Sequence, residues 1–290
     1  IRVPFEYARK IQKGDPSDPL LIQVLPQHQE RTSPPGYSPD PLREQDFSPL
    51  PGVIHKYDNR VLLVATQACA IHCRYCFRQH FPYTDHRLVN DKLDDAIGYI
   101  EQNSKIDEVI LSGGDPFSLS SDKLVGLLQI LDAIPHVRRL RVHSRTLLHQ
   151  SNRINKALMA GLTQLRTPIV FVVHCNHPNE LDAGTAKITA QLGAAGVHLL
   201  NQSVLLAGVN ATVPILRDLS LKLFDQRILP YYLNRLDPVS GASHFAIDDE
   251  QARALIIELL NHLPGYLMPR YITDQPGFGS KLPIDLKLFD

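Results

Sequence analysis

Short apolar stretches alternate with amphipathic ones along the chain from Arg60 onward. The amphipathic stretches, such as DKLDDAIGYIEQNS and SDKLVGLLQILDAI, carry Asp or Ser near their starts and are predicted helices. Strands that are separated by crossover helices lie parallel, so the alternation predicts repeated βα units. Right-handed crossovers then leave an open doubly wound sheet or a barrel. The predicted strands are VLLVAT (61–66), DEVILSG (107–113), LRVHS (140–144), PIVFVVH (168–174), VHLLNQS (197–203) and LPYYL (229–233).

Polar residues follow each of these six strands at its carboxyl end. They are Thr66 with Cys69, SGGD (112–115), HSR (143–145), HCNH (174–177), NQS (201–203) and NRLD (234–237). Barrels carry their chemistry at this face, because the βα loops converge there. We therefore predict the α/β class and a partial (β/α)6 TIM-like barrel. Its six units leave an opening that would admit a large substrate or cofactor.

The flanking segments differ in composition from the barrel. Residues 1–50 are rich in proline and polar residues, which predicts an extended or helical N-terminal arm. The barrel is predicted over 51–240. Residues 241–290 are predicted to form a C-terminal helix and a glycine-containing loop.

Composition restricts the possible functions. The 290-residue chain has a formal net charge of zero, so bulk electrostatics favours neither nucleic acid nor an anionic membrane as a partner. No apolar stretch approaches the roughly 20 residues that a membrane span needs. Four cysteines are too few for a fold held by disulfides, which favours a reducing, cytoplasmic setting.

Three of the four cysteines lie within the stretch CAIHCRYCFRQ (69–79), at Cys69, Cys73 and Cys76. A structural zinc site needs four ligands, but Cys175 is distant in sequence and His72 lies inside the triplet. An iron–sulfur cluster takes thiolates at short spacings. Three thiolates on a 4Fe–4S cube leave one iron open to a ligand from outside the protein. The spacing therefore favours a 4Fe–4S cluster over zinc.

This triplet after the first strand, followed by SGGDP after the second, resembles the radical S-adenosylmethionine (SAM) superfamily. YDNRVLLVATQACAIHCRYCFRQ and TDQPGFGSKLP further resemble the lysine 2,3-aminomutase family of that superfamily. The resemblance implies that the three cysteines bind the 4Fe–4S cluster and that its open iron binds SAM. The residues it places at SAM are Ser112, Gly113, Gly114, Asp115, Ser144 and His174.

The same resemblance implies pyridoxal 5′-phosphate (PLP) as a second cofactor. Lys281 would form a Schiff base with PLP, although the segment taken by itself favours a solvated lysine in a glycine-rich terminal loop. Arg60 and Gln202 would bind the PLP phosphate, and Tyr57 would lie near the cofactor.

Three further matches concern the substrate. Arg78 matches the arginine that binds the substrate α-carboxylate in this family. Asp237 and Asp274 match two acids that bind a lysine side-chain ammonium. Two carboxylates would repel a substrate that ends in a carboxylate, which argues against glutamate.

The resemblance implies that the chain is an isomerase that converts L-α-lysine to (R)-β-lysine by 2,3-amino migration. PGVIHKYDNR, AIPHVRRLRVHSR and LLNQSVLL are similar to the bacterial form that supplies β-lysine for elongation factor P. The implied partners are flavodoxin or ferredoxin as electron donor and an elongation factor P ligase that takes the product.

Four alternatives remain open from the sequence. They are a general lysine 2,3-aminomutase of catabolism, another amino-acid 2,3-aminomutase, a radical SAM enzyme without PLP, and a structural iron–sulfur protein.

Overall fold

A computed structural model describes residues 2–86, 88 and 91–288. Within these residues nine strands lie in chain order in one sheet. Strands β2 to β8 are parallel to their neighbours, and β1 and β9 add antiparallel strands at the two ends. The strands are β1 (Val53–Tyr57), β2 (Arg60–Thr66), β3 (Glu108–Gly113), β4 (Arg139–Ser144), β5 (Ile169–Val173), β6 (His198–Val204), β7 (Leu229–Asn234), β8 (Arg270–Thr273) and β9 (Leu282–Pro283).

The six predicted strands are confirmed as β2 to β7, and the predicted α/β partial barrel is confirmed with them. Three strands, β1, β8 and β9, were missed by the sequence analysis. β9 has only two residues and β8 has four, which is too few for the alternation of apolar and polar positions to be recognised. β1 has five residues and pairs antiparallel with β2, outside the repeated βα units that the sequence analysis identified.

Helices follow most of the parallel strands as crossovers. Both helical stretches that the sequence predicted are confirmed, as α2 and α3. Side chains cap several helix starts, since Ser120 accepts a hydrogen bond from Lys123 N and Asn155 accepts one from Leu158 N. The helices are α1 (Phe5–Ala8), α2 (Asp91–Gln102), α3 (Ser121–Asp132), α4 (Lys156–Thr163), α5 (Ala183–Ala194), α6 (Val213–Asp225) and α7 (Asp249–Leu260).

Short 3-10 helices occupy the connections. They are His28–Arg31, Glu44–Phe47, Pro116–Ser118, Thr146–His149, Ser151–Arg153, Pro178–Glu180, Ser243–Phe245 and Gly265–Leu267. Two of them, Pro116–Ser118 and Thr146–His149, begin within three residues of the ends of β3 and β4.

The main hydrophobic core lies between the first parallel strands and their helices. Leu63, Leu111, Val142 and Phe171 are fully buried there, one from each of four successive strands. Burial of apolar side chains at about 25 cal/mol per Å² is the main stabilising contribution to such a layer. The core therefore fixes the strand ends relative to one another.

Residues 2–50 lie against the loops at the carboxyl ends of the strands. Lys10 Nζ donates to the Glu180 carbonyl after β5, at 2.6 Å. Ser38 forms backbone hydrogen bonds with Pro238 and Ser240 after β7, at 2.9 and 3.0 Å. The arm therefore lies across the face where polar loops converge, although the domain boundaries themselves stay predictions.

Across the described part of the chain, no helix combines the length and the apolar character that crossing a bilayer requires.

Candidate active site

One cavity of about 910 Å³ opens at the carboxyl ends of the parallel strands. Every residue that the sequence analysis singled out for a site lines it. Strands that lie parallel and adjacent bring residues far apart in sequence to the same edge. The residues are Tyr57, Arg60, Cys69, Cys73, Cys76, Arg78, Ser112, Gly113, Gly114, Asp115, Ser144, His174, Gln202, Asp237, Asp274 and Lys281.

The three cysteines lie in the loop after β2, which we call the cluster loop (residues 67–80). All three thiols are free and partly buried. Burial raises the pKa of Cys69, and it raises the pKa of Cys76 to about 12, so these two thiols hold their protons in the absence of a metal. Thiols that are costly to ionise alone become thiolates once they bind a metal.

The donor set suits a cluster. No three His, Cys, Asp or Glu side chains among the described residues converge closely enough to hold a single metal ion. A 4Fe–4S cube does not require such convergence, because each of its cysteines binds a different iron. Three soft thiols along one wall of a large cavity therefore fit the cluster.

The SGGD turn (112–115) at the end of β3 packs on the end of β2 and on the start of the cluster loop. Gly114 N donates to the Thr66 carbonyl at 2.7 Å, and Asp115 N donates to the Ala68 carbonyl at 2.8 Å. A Cβ on Gly114 would meet that Ala68 oxygen at 2.4 Å, and Gly113 has φ +105°. The two glycines are therefore needed for backbone contact between the turn and the cluster loop.

Two of the residues predicted at SAM use their side chains to hold loops together. The Asp115 carboxylate accepts hydrogen bonds from Ser144 Oγ at 2.7 Å and from the backbone N–H groups of Arg145 and Thr146. Ser144 Oγ in turn accepts from Leu147 N at 3.0 Å. These bonds fasten the end of β4 to the SGGD turn. A contact of Asp115 or Ser144 with SAM stays a prediction.

His174 follows β5 and is uncharged at neutral pH. Burial, together with the nearby Arg145 cation, lowers its pKa to about 3. Its Nε2 lies 2.9 Å from Tyr75 Oη, in the cluster loop. A neutral imidazole beside the cluster loop can accept or donate a hydrogen bond without adding charge.

Lys281 directly precedes β9 and points into the cavity. Its Nζ donates to Asn234 Oδ1 at 2.9 Å and lies 5.5 Å from the centre of the Tyr232 ring. Burial lowers the pKa of this amine, which favours the neutral, nucleophilic form. Lys281 is therefore suited to condense with an aldehyde.

The residues predicted to contact the PLP phosphate line the cavity from β2 and β6. The Arg60 guanidinium lies over the Tyr57 ring, 4.1 Å from its centre. Arg141, on β4, lines the same cavity and is paired with Glu108. Gln202 lies on β6 and also faces the cavity. Arg141 was missed by the sequence analysis, although its alternation with the buried Leu140 and Val142 places it on the other face of β4.

The two acidic residues predicted to bind an ammonium lie in the same wall as Lys281. Burial, with a smaller contribution from the neighbouring Asp274, raises the pKa of Asp237 to about 7, and Lys281 opposes this shift. Asp274 pairs with Lys56 Nζ and lies 3.3 Å from Tyr57 Oη. The sequence analysis missed Lys56, although it stands next to Tyr57.

Arg78 is buried and held by two neighbours. Its Nε and Nη2 each donate to a different carboxylate oxygen of Glu44 at 2.7 Å, and its Nη1 donates to Ser112 Oγ at 3.0 Å. A guanidinium has five N–H groups, so these contacts leave one on each terminal nitrogen. Glu44 comes from the arm, and nothing in the stretch PLREQD marked it as part of a site.

Comparison with known proteins agrees with this geometry. Residues 59–177, which include the cluster loop, match the family model described as a 4Fe-4S single cluster domain. The chain is 44% identical over 288 residues to an L-lysine 2,3-aminomutase of Escherichia coli K12, covering 99% of this chain and 84% of that protein. It is 44% identical over 281 residues to that of Haemophilus influenzae, covering 97% and 83%. The Clostridium subterminale enzyme is 37% identical over 279 residues, covering 96% and 67%.

The fold is a partial parallel barrel with a three-cysteine loop after its first parallel strand. Together with the 4Fe-4S domain match, this fold defines a radical SAM-type iron–sulfur enzyme. Within that class, the chain belongs to the L-lysine 2,3-aminomutase family, whose members are isomerases.

Proposed function

We propose that this protein converts L-α-lysine to (R)-β-lysine with a 4Fe–4S cluster, SAM and PLP, and that the product serves to modify elongation factor P. The observation that carries the proposal is the single cavity that gathers three thiols, a buried lysine, an arginine and two acids. A structural iron–sulfur protein would need only the thiols. The curated relatives named above support lysine as the substrate.

The charged groups of the cavity suit the two ends of a lysine molecule. Arg78 offers its two remaining N–H groups to the α-carboxylate, since Glu44 and Ser112 hold the guanidinium in place. At the other end, Asp237 and Asp274 lie near Lys281, and Asp274 also pairs with Lys56. Above the pKa of Asp237 both acids are carboxylates, which attract the single ammonium of a lysine side chain.

The cavity also provides contacts for the two cofactors. Lys281 would hold PLP covalently, Arg60 and Gln202 would hold its phosphate, and Tyr57 would lie along it. Ser112, Gly113, Gly114, Asp115, Ser144 and His174 would surround SAM beside the cysteines. When bound, the cluster and SAM supply a carbon radical, and PLP supplies a conjugated ring that delocalises the unpaired electron. The protein positions the amino acid and keeps water out of the cavity.

The destination of the product is supported by sequence alone. PGVIHKYDNR, AIPHVRRLRVHSR and LLNQSVLL are similar to the form of the family that serves elongation factor P. A flavodoxin or ferredoxin would supply the electron, and a separate ligase would attach β-lysine to the factor.

The direct test is anaerobic reconstitution with iron, sulfide and PLP, followed by SAM, a reductant and L-lysine. We expect β-lysine by mass spectrometry, the R form on chiral analysis, and little net consumption of SAM. Glutamate and arginine run in parallel, and glutamate is expected to give no product. Accumulation of 5′-deoxyadenosine without β-lysine would retain the radical SAM chemistry and reject the substrate. Transfer of the product to elongation factor P by a ligase tests the destination separately.

The Asp237 carboxylate predicts a pH dependence. Because the pKa of Asp237 is raised to about 7, this acid is neutral below that pH and attracts the substrate ammonium less. We expect kcat/KM for lysine to rise with pH through about 7 and then to level off. In Asp237→Asn this rise should be absent, and kcat/KM should be lower by about tenfold or more at pH 8. A rise of the same size in Asp237→Asn would assign it to another group.

A further inference from the structure

Arg145 immediately follows β4, where its guanidinium is buried against the cluster loop; only 6% of the residue is exposed. Its Nη1 donates to Cys73 Sγ at 2.9 Å and also to Tyr75 Oη. Of the contacts described for the three cysteine sulfurs, this is the one made by a charged donor. Cys73 lies within residues 59–177, which match the 4Fe-4S single cluster domain.

The other side of Arg145 is fixed by three groups. Its Nη2 donates to Gln23 Oε1 at 2.8 Å, to Tyr7 Oη at 3.1 Å and to Glu180 Oε2 at 3.3 Å. Tyr7 and Gln23 belong to the arm, whereas Glu180 follows β5. These bonds hold the guanidinium plane in one orientation, and Glu180 compensates a charge that would otherwise be costly to bury.

An arginine in this position changes the energetics of a cluster bound by Cys73. Reduction adds one negative charge to the cluster, and part of that charge resides on the ligand sulfurs. A cationic N–H donor at a sulfur stabilises the more negative state, so it raises the reduction potential. The effect is large where water is excluded, because Coulomb interactions are weakly screened there. Arginine suits this role because its guanidinium keeps its charge when buried.

We propose that Arg145 is a positioning residue that sets the reduction potential of the 4Fe–4S cluster through its hydrogen bond to Cys73. The N-terminal arm takes part through Tyr7 and Gln23, which orient the guanidinium. The proposal rests on Cys73 being a cluster ligand, as the proposed function has it. It requires neither PLP nor lysine.

The test is an EPR-monitored redox titration of the reconstituted protein without SAM. Arg145→Gln alone would leave Glu180 buried without its partner, so the double variant Arg145→Gln/Glu180→Gln is the informative one; it removes both charges and leaves neither orphaned. We expect its midpoint potential to fall by an amount that changes the ratio of reduced to oxidised cluster about tenfold, or ~59 mV for one electron. Arg145→Lys, which keeps the charge, should lie between this variant and the wild type.

Arg74→Gln is the matched control. Arg74 also lies in the cluster loop, but it pairs with Glu30 rather than with a cysteine. Its removal should leave the potential within the scatter of the measurement. Equal potentials for the wild type and the double variant would overturn the proposal, as would an equal shift in Arg74→Gln. A shifted potential in a protein that makes no β-lysine would instead count against the proposed function alone.

Discussion

Replacing Cys76 by alanine is expected to abolish the cluster and, with it, reductive cleavage of SAM. Three thiolates bind three of the four irons and leave one open. With two thiolates a second iron would lack a protein ligand and would readily dissociate from the cluster. No other cysteine is placed to substitute, since Cys175 is fully buried beyond the end of β5. We expect iron and sulfide content after reconstitution to fall severalfold. 5′-Deoxyadenosine formation should fall by at least about a thousandfold.

Cys175→Ala is the control for this experiment. Its sulfur contacts only the His177 carbonyl, at 3.5 Å, among the hydrogen bonds described for it. The variant should therefore bind iron and sulfide as the wild type does. Normal iron content in Cys76→Ala, or its loss in Cys175→Ala, would contradict the assignment of Cys69, Cys73 and Cys76 as ligands.

Replacing Lys281 by alanine is expected to remove covalent PLP binding and nearly all aminomutase activity. The amine lies in the cavity with Asn234 as its hydrogen-bond acceptor, and burial lowers its pKa toward a nucleophilic state. We expect loss of the visible absorbance band of bound PLP and a fall in β-lysine formation of at least about a thousandfold. The iron–sulfur absorbance should stay, because Lys281 is not among the cluster loop residues.

Lys187→Ala serves as its control. Lys187 lies on an exposed position of α5 and has no part in the cavity. This variant should retain PLP and activity. If borohydride reduction still attached PLP covalently to Lys281→Ala, another lysine would be the attachment site. Lys56 would be the first to test, because it lines the same cavity.

The sequence predicted the parts of the fold that depend on local pattern. Six strands with β-rich apolar runs and the two helices α2 and α3 were recognised, because their side chains repeat with the period of the element. β8 and β9 were not recognised, since they depend on pairing with β7 and with each other rather than on their own few residues.

The sequence also supplied the predicted residues of the candidate site, as far as these lie in short motifs. The spacing of the cysteine triplet favoured a cluster, whereas SGGD and the terminal lysine segment received their predicted roles from the resemblance to the lysine 2,3-aminomutase family. The rule that parallel strands share one carboxyl edge then predicted that they would meet, and all of them line one cavity.

Only the tertiary structure decided which charges face one another. Three side-chain contacts join residues that are 34, 218 and 72 positions apart in sequence. They are Arg78 with Glu44, Lys56 with Asp274, and Arg145 with Cys73. Such pairings depend on how the arm and the strand ends pack, and no local pattern encodes them. The sequence by itself therefore determined which chemical groups are present, whereas packing decided their charge partners, because burial beside a specific neighbour sets the strength of an electrostatic interaction.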